Sequence, residues 1–171
     1  AIDTLTLKEQ TRTINADLYI DCTGFSSLLL GQALNVPFKK MDHVLFNDSA
    51  LAMQVPYDEN DNSLASHTIA TAQNAGWIWD IGLTHRRGVG HVYSSKFLSD
   101  EEAEQNLRNY LGDAANGLTA RKISFESGYR EKFWHKNCVA VGMSAGFVEP
   151  LEATAIMLVE ISSRFVAEHM P

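Results

Sequence analysis

The stretch that organises this sequence is GMSAGFVEPLEATA, residues 142–155. A short apolar segment, residues 138–141, precedes it and predicts a buried strand. The apolar run that follows, residues 156–166, is long enough for about three helical turns. Pro150 suits the first position of that helix, because its missing N–H would have no intrahelical partner there. The stretch therefore predicts a strand, a tight turn and a helix.

The start of the predicted helix is also a candidate ligand site. Free amides at residues 152–155 would carry partial positive charge, which suits an anion or an electron-rich group. Small residues in the turn would let the backbone approach a flat ligand closely. Glu152 is the carboxylate that such a turn could aim into a cleft. The residues alone leave a second interpretation open, in which Glu152 only complements the helix dipole as a cap.

A second candidate site lies upstream, in ADLYIDCTG, residues 16–24. Apolar residues 18–20 are consecutive, as in a strand buried on both faces. The strand ends in Asp21, Thr23 and Gly24, which can turn the chain sharply. Ligands often bind at the carboxyl ends of strands in open α/β sheets, but a plain strand end explains these residues equally well.

The middle of the chain predicts an antiparallel sheet, because short strand candidates alternate there with turn-forming residues. These candidates are residues 44–46, 50–55, 68–71, 77–83 and 89–93. We expect a hairpin turn at Arg86–Gly88. A capping box at Ser99–Glu102 predicts a helix that Gly112 ends, and residues 26–34 predict a shorter helix.

The strand candidate at residues 77–83 carries two neighbouring indoles. Trp77 and Trp79 share one strand face with Ile81, because side chains alternate across a strand. Two indoles on one face form a large flat apolar wall. That wall could face a ligand or could pack as an aromatic ladder against the core, and the residues favour neither.

Composition excludes several classes of protein. The 171 residues fit one ordinary domain, and a net charge of -7 argues against nucleic acid as a partner. No run is long and apolar enough to span a membrane. The six histidines show no metal-ligand spacing, so we predict no metal site. We expect Cys22 and Cys138 to be core thiols in a reduced compartment, which indicates a cytoplasmic protein.

Three separated stretches together resemble one family, the flavin-dependent tryptophan halogenases. Residues 16–25 resemble its second FAD-contacting strand, and GWIWDI, residues 76–81, resembles its paired-tryptophan motif. Residues 142–154 resemble its Gly-x-Ser-x-Gly-Phe-x-Glu-Pro-Leu-Glu segment. The sequence departs from the family's motifs in places, with Gly82 where Pro is usual and Ala155 where Gly is common.

The resemblance implies a mixed α/β (α+β) fold: part of an FAD-binding Rossmann-like fold of the monooxygenase or glutathione-reductase type, with an inserted antiparallel sheet on the substrate side. Residues 1–40 and 137–171 would belong to the FAD-binding domain, and residues 41–136 to the substrate-side region. The family's amino-terminal glycine fingerprint, its catalytic Lys and its carboxyl-terminal helical region have no counterpart in these residues. We therefore expect an internal fragment, inactive by itself, of a longer halogenase.

The resemblance also implies the chemistry and the roles of individual residues. The family uses reduced FAD, supplied by a separate flavin reductase, together with oxygen and chloride or bromide. The hypohalous acid formed travels to a Lys beside a small aromatic substrate, often in antibiotic biosynthesis. A homodimer is compatible with this family. The resemblance implies that Glu152 is the catalytic residue and that Thr154 and Ala155 form the halide site. Trp77 and Trp79 would form a wall between substrate and flavin. The implied FAD contacts, mostly through backbone, are Asp21, Thr23, Gly24, Gly142, Ser144, Gly146 and Pro150.

Two other functions are compatible with the same residues. One is a flavin-dependent monooxygenase that hydroxylates an aromatic substrate. The other is a truncated, non-catalytic flavoprotein domain that only binds or packs.

Overall fold

The computed structural model of the chain describes residues 1–7, 12–57, 64–149, 151 and 154–170. The chain divides into two compact units. The first unit combines Ala1–Leu45 with Ser127–Pro171, and the second is Phe46–Glu126.

Thirteen strands and two α-helices are assigned within the described residues, together with short helical turns. The strands are β1 (Leu5–Thr6), β2 (Thr13–Ile14), β3 (Tyr19–Asp21), β4 (Phe38–Lys40), β5 (Ser49–Pro56), β6 (Ile69–Gln73), β7 (Gly76–Gly82), β8 (Arg86–Tyr93), β9 (Arg121–Ser124), β10 (Gly128–Arg130), β11 (Trp134–His135), β12 (Cys138–Ala140) and β13 (Gly146–Phe147). The α-helices are α1 (Asp100–Leu111) and α2 (Thr154–His169). The short turns are the 3-10 turns Gly24–Ser26, Gly112–Ala115 and Gly142–Ser144 and the π-helical segment Leu28–Ala33.

The second unit is built on a five-stranded antiparallel sheet in the order β6-β7-β8-β5-β9. The antiparallel sheet expected in the middle of the chain is therefore confirmed, but two local predictions are wrong. Residues 44–46 form no strand, because the amides of Val44 and Leu45 turn back to bond the carbonyl of Met41. The predicted hairpin turn at Arg86–Gly88 belongs to β8 instead, and the Leu83 amide bonds the Arg86 carbonyl to close the turn before it.

One face of this sheet is closed by α1. Ser99 caps α1 through the expected capping box, and Gly112 ends it. The helix places Ala103, Leu107 and Leu111 against the sheet. Their buried partners on the strands are Leu51, Met53, Val55, Ile78, Val89 and Tyr93. This cluster is the main core of the second unit, because it combines the largest set of fully buried apolar side chains there.

Polar side chains on the closed face are paired inside the protein. Arg87 donates two hydrogen bonds to the Asp80 carboxylate, at 3.1 and 2.5 Å. The Tyr93 hydroxyl donates to Asp100 at 2.6 Å, and Lys122 pairs with the same carboxylate. Burial and the Asp100 carboxylate raise the pKa of Tyr93 far above its usual range. The Arg87–Asp80 pair joins β8 to β7. Asp100 joins the first residue of α1 to β8 and β9.

The first unit contains two three-stranded sheets, β11-β12-β3 and β13-β10-β4. β12 runs parallel to β3, whereas the other pairs in these sheets are antiparallel. Tyr19 and Asp21 are buried, but Ile20 between them is 49% exposed. The expectation of a strand buried on both faces is therefore wrong for β3, because nothing among the described residues covers its second face.

Other local predictions in the first unit have mixed outcomes. The helix expected from the apolar run is confirmed as α2, and residues 26–34 contain the π-helical segment Leu28–Ala33. Cys138 is fully buried, where apolar surroundings raise its pKa to about 11. Cys22 directly follows β3 and is exposed, so the expectation of two core thiols is wrong for it.

Membrane spans and metal clusters are both absent from the described part of the chain. No helix there combines the length and apolar character needed to cross a membrane. No group of three or more His, Cys, Asp or Glu side chains in the described residues is arranged to hold a metal ion.

We expect His91 to make the stability of the second unit dependent on pH. Its ring is fully buried beneath α1, where Nδ1 lies 3.0 Å from the Ala103 carbonyl oxygen. Burial lowers the pKa of His91 below its usual 6.5, although the Ala103 carbonyl acts in the opposite direction. The unfolded chain therefore takes up a proton at a pH where the folded protein does not. We expect the free energy of unfolding to decrease as the pH falls below about 6.5.

Urea unfolding between about pH 7.5 and pH 5.5 measures this dependence. His91→Asn keeps a neutral side chain with an N–H donor and should flatten the pH dependence. His85→Asn changes an exposed histidine of the same unit and serves as the control. Equal pH slopes for the wild type and His91→Asn would show that His91 is not the titrating group.

Candidate functional site

The ends of two parallel strands meet in the first unit. β12 and β3 align Cys138 with Tyr19 and Ala140 with Asp21. The Val141 amide then donates to the Asp21 carbonyl at 3.0 Å, which extends the pairing by one step. The two candidate stretches found far apart in the sequence therefore turn away from the same sheet edge, where ligands of α/β proteins commonly bind.

The Asp21 carboxylate is buried at this edge and accepts hydrogen bonds at both oxygens. Oδ1 accepts from the Thr23 amide at 3.0 Å and the Thr23 hydroxyl at 2.6 Å. Oδ2 accepts from the amides of Leu29 and Leu30 at 3.0 and 2.8 Å, with the Ser27 hydroxyl at 3.5 Å. Leu29 and Leu30 lie in the first turn of the π-helical segment, so Asp21 also caps that segment.

These contacts determine the charge state of Asp21. Burial acts to raise the pKa of its carboxyl group. Hydrogen bonds from the Thr23 hydroxyl and from the amides of Leu30, Thr23 and Leu29 outweigh burial, so the pKa lies below its usual range. Asp21 is therefore a stable anion held inside the protein.

Ser144 joins the second turn to the same strand end. Its hydroxyl bonds the carbonyl of Asp21 and lies 3.0 Å from the carbonyl of Val141. The Ser27 hydroxyl donates to the Ser144 carbonyl at 3.0 Å. Asp21, Ser27 and Ser144 are all fully or almost fully buried. Their side chains hold the two turns together, and a ligand at this edge would meet backbone rather than these side chains.

Each of the two turns contains a half-buried glycine. Gly24 has φ of +66° and Gly142 has φ of +73°, a conformation in which a side chain is strained. Phe25, beside Gly24, packs edge-on against Phe147 of β13, with ring centroids 5.3 Å apart. Gly146 is half-buried in β13, and Thr23 is exposed after β3. The structure thus brings together every predicted FAD contact except Pro150, which lies outside the described residues.

Helix α2 begins at Thr154, close in sequence to these turns. Thr154 Oγ1 is buried, and no described residue gives it a hydrogen-bond partner. Ala155 follows as a half-buried residue of the first turn. The predicted catalytic residue Glu152 lies outside the described residues.

The paired tryptophans lie in the second unit, on the sheet face opposite α1. Trp77 is 9% exposed and packs with Ala50 and Val92, as expected for a core aromatic. Trp79 is half-buried and lines an open cleft. The two rings are 6.3 Å apart and inclined at 62°. Packing therefore describes Trp77, whereas a ligand-facing wall at Trp79 stays a prediction.

Gly90 leaves the space that the Trp79 ring occupies on the sheet. Gly90 is directly opposite Trp79 on β8. A Cβ atom at position 90 would overlap the Cζ2 and Cη2 atoms of the indole, so only glycine leaves space for the ring there.

Two residues of the first unit's site had not been singled out from the sequence. Ser27 bridges the strand end and the second turn, and its position before an apolar helical run is the N-cap signal that could have found it. Arg130 donates to the Val36 carbonyl at 3.0 Å and stacks over Phe38. Its backbone amide bonds the Ala145 carbonyl at 2.7 Å. No local sequence pattern indicates the role of Arg130.

Asp21→Asn tests whether the buried carboxylate holds the strand end. An amide in this position presents an N–H group to the donors of Thr23 or Leu29, so at least one contact becomes unfavourable. We expect a loss of about 2–3 kcal/mol in the free energy of unfolding, the scale of hydrogen bonds to a charged group. Chemical denaturation measures it, and Asp17→Asn, an exposed carboxylate just before β3, is the control. A loss equal to that of the control would refute the role.

Comparison with known proteins identifies relatives of this chain. The family model described as tryptophan halogenase matches residues 1–171. The 7-chloro-L-tryptophan 6-halogenase KtzR of Kutzneria sp. (strain 744) is 47% identical over 158 residues, which are 92% of this chain and 31% of that protein. A solved tryptophan halogenase from Shewanella frigidimarina NCIMB 400 is 50% identical with a TM-score of 0.92, over 99% of this chain and 32% of that one.

A third similar structure is described as flavin-dependent. The solved structure of Tar14, described as a tryptophan C-6 flavin-dependent halogenase (chlorinase) from taromycin biosynthesis, has a TM-score of 0.90 and 41% identity. It is matched over 99% of this chain and 36% of its own length. The mixed α/β chain thus corresponds to about a third of each of these relatives. With its full length matched by the family model, the chain belongs to the tryptophan halogenase family.

Proposed function

We propose that this chain acts as part of a flavin-dependent halogenase that uses reduced FAD, oxygen and a halide to halogenate tryptophan or another electron-rich aromatic compound. The family match over residues 1–171 is the observation that carries the proposal. Relatives described as tryptophan halogenases and as a chlorinase support the substrate class and the halide. A separate flavin reductase would supply the reduced cofactor.

The residues at the two strand ends fit a flavin. The turns at Gly24 and Gly142 have positive φ and lack side chains, so their backbone can lie close to a flat ring system. Thr23 and Gly146 would add further backbone contacts, whereas Asp21 and Ser144 would act by holding the turns. When bound, FAD supplies the oxygen activation that oxidises the halide. We accordingly assign the first unit to the FAD-binding part and the second unit to the substrate side.

The start of α2 fits a halide. Thr154 Oγ1 is a buried hydroxyl without a partner among the described residues, and a hydroxyl can donate to an anion. The first turn of a helix adds amide donors and the positive end of the helix dipole. We propose that Thr154 donates to the halide through its hydroxyl and that Ala155 contributes its amide.

Glu152 is proposed as the catalytic carboxylate. It stands two residues before Thr154, so a carboxylate acting there would be close to the halide. A glutamate at that position can orient the oxidant or accept the proton that the aromatic ring loses after halogenation. Trp79, on the open face of the second unit's sheet, would form part of the wall that keeps the substrate away from the flavin.

The full-length protein should halogenate an indole substrate when it receives reduced FAD, oxygen and bromide or chloride. Mass spectrometry of products from a panel of indoles, with and without halide, measures this activity. A halide-dependent gain of bromine or chlorine is expected, because the family's relatives carry out that reaction. A hydroxylated product that forms equally well without halide would instead assign the protein as a monooxygenase.

Glu152→Gln should lower the rate of halogenation at least about 100-fold, because general acid–base groups contribute rate factors of this order. FAD affinity, measured by fluorescence quenching, should stay within twofold of the wild type, about 0.4 kcal/mol. Glu160→Gln removes an exposed carboxylate of α2 and is the matched control. Full activity of Glu152→Gln would exclude Glu152 from the mechanism.

Thr154→Val should raise the KM for chloride by about tenfold or more, which corresponds to the loss of a hydrogen bond to a charged group. Thr154→Ser keeps the hydroxyl and should restore most of the affinity. Steady-state rates against chloride concentration distinguish the two variants. An equal KM for chloride in both variants would show that the hydroxyl does not bind the halide.

A further inference from the structure

The side chain of Arg130, in β10, lies against the π-helical segment Leu28–Ala33. A Cβ atom built on Gly31 would lie 2.6 Å from Nη2 and 2.7 Å from Cζ of the guanidinium. Glycine at position 31 therefore leaves the space in which the guanidinium lies on the backbone of this segment. Both residues belong to the first unit, so the contact is formed within that unit.

Two further contacts hold the guanidinium in this place. Its Nη1 donates to the Val36 carbonyl at 3.0 Å. Phe38 is directly opposite Arg130 on β4, and Cζ of the guanidinium lies 5.3 Å from the centre of the phenyl ring. A planar guanidinium can stack on a ring and donate in its own plane at the same time. These contacts hold the π-helical segment and the residues that follow it against β10.

The π-helical segment is connected to the first of the two glycine turns. The Gly31 amide donates to the Ser27 hydroxyl at 3.0 Å, and the Ser27 amide donates to the Gly24 carbonyl at 3.0 Å. Amides in the first turn of the segment also donate to the buried Asp21 carboxylate. A shift of the segment away from Arg130 would therefore move the donors that hold Asp21 and the turn at Gly24.

The backbone of Arg130 contacts the second glycine turn. Its amide donates to the Ala145 carbonyl at 2.7 Å. Ala145 closes the turn Gly142–Ser144, because its own amide donates to the Gly142 carbonyl at 3.0 Å. Arg130 therefore holds the segment after the first turn with its side chain and the end of the second turn with its backbone.

We propose that Arg130 is a positioning residue for the flavin, which acts by fixing the Gly24 and Gly142 turns relative to each other. This role presupposes the flavin site of the proposed function. Nε of Arg130 is buried without a partner among the described residues, and an apolar side chain would leave no such donor unpaired. This unfavourable group offsets the bond to Val36. Replacement of Arg130 should therefore disturb the two turns more than it lowers the stability of the fold.

Hydrogen exchange in the full-length protein without FAD tests the positioning directly. Arg130→Met should speed exchange of the Gly31 and Ala145 amides about tenfold, while the midpoint of urea unfolding stays near that of the wild type. Arg108→Met is the matched control, because Arg108 also donates to two backbone carbonyls but lies in the second unit. It should leave exchange at Gly31 and Ala145 unchanged. Unchanged exchange in Arg130→Met would overturn the proposal, whether or not the protein binds FAD.

FAD affinity, measured by fluorescence quenching, tests whether the turns position the flavin. Arg130→Met should weaken FAD binding about tenfold, whereas Arg108→Met should bind FAD as the wild type does. Faster exchange at the turns with unchanged FAD affinity would overturn the role of Arg130 in the flavin site. An equal loss of affinity in Arg108→Met would overturn it too, because the effect would then follow from general destabilisation. A wild type that binds no FAD would instead refute the proposed function.

Discussion

The buried carboxylate of Asp21 is the interaction on which the first unit's site depends. A carboxylate without partners in a protein interior would lose much of its solvation energy, so its burial requires the donors that surround it. Those donors come from the turn after β3 and from the π-helical segment. Because Ser144 bonds the carbonyl of the same residue, the second turn is tied to this point as well. One residue thus connects three backbone segments, two of which are the turns that carry Gly24 and Gly142.

In the second unit, the two faces of the sheet differ in character. The face toward α1 is filled with large apolar side chains and with polar groups that pair among themselves. The opposite face combines the two tryptophans with alanine and glycine on the central strands. Both faces come from one alternating pattern, because each strand contributes every second residue to each face. The closed face carries the main core of the unit, and the opposite face carries a smaller cluster around Trp77.

Local patterns predicted much of this architecture. The Ser99–Glu102 capping box and the apolar run of α2 correspond to helices, and the two-residue period placed both tryptophans on one face. The hairpin at Arg86–Gly88 was wrong because turn-forming composition competes with strand pairing, and here the pairing of β8 with β5 extends to Pro56. Local sequence could not separate the environments of Trp77 and Trp79, which differ through their neighbours on other strands.

The candidate site was less predictable than the fold. Asp21 and Ser144 are separated by 123 residues, and only the parallel pairing of β3 with β12 brings them together. The sequence identified both as site residues through the family resemblance, but the inward direction of their side chains is a property of the folded chain. Arg130 illustrates the same limit, since its contacts with Val36 and Phe38 cross 94 and 92 positions of the chain.

The contact between Trp79 and Gly90 has an evolutionary consequence. The indole occupies the volume that any side chain at position 90 would need. The two positions are therefore not free to diverge independently. A lineage in which position 90 gains even a methyl group must first reduce or reorient residue 79, so the aromatic wall and its glycine should be inherited, or lost, as a pair.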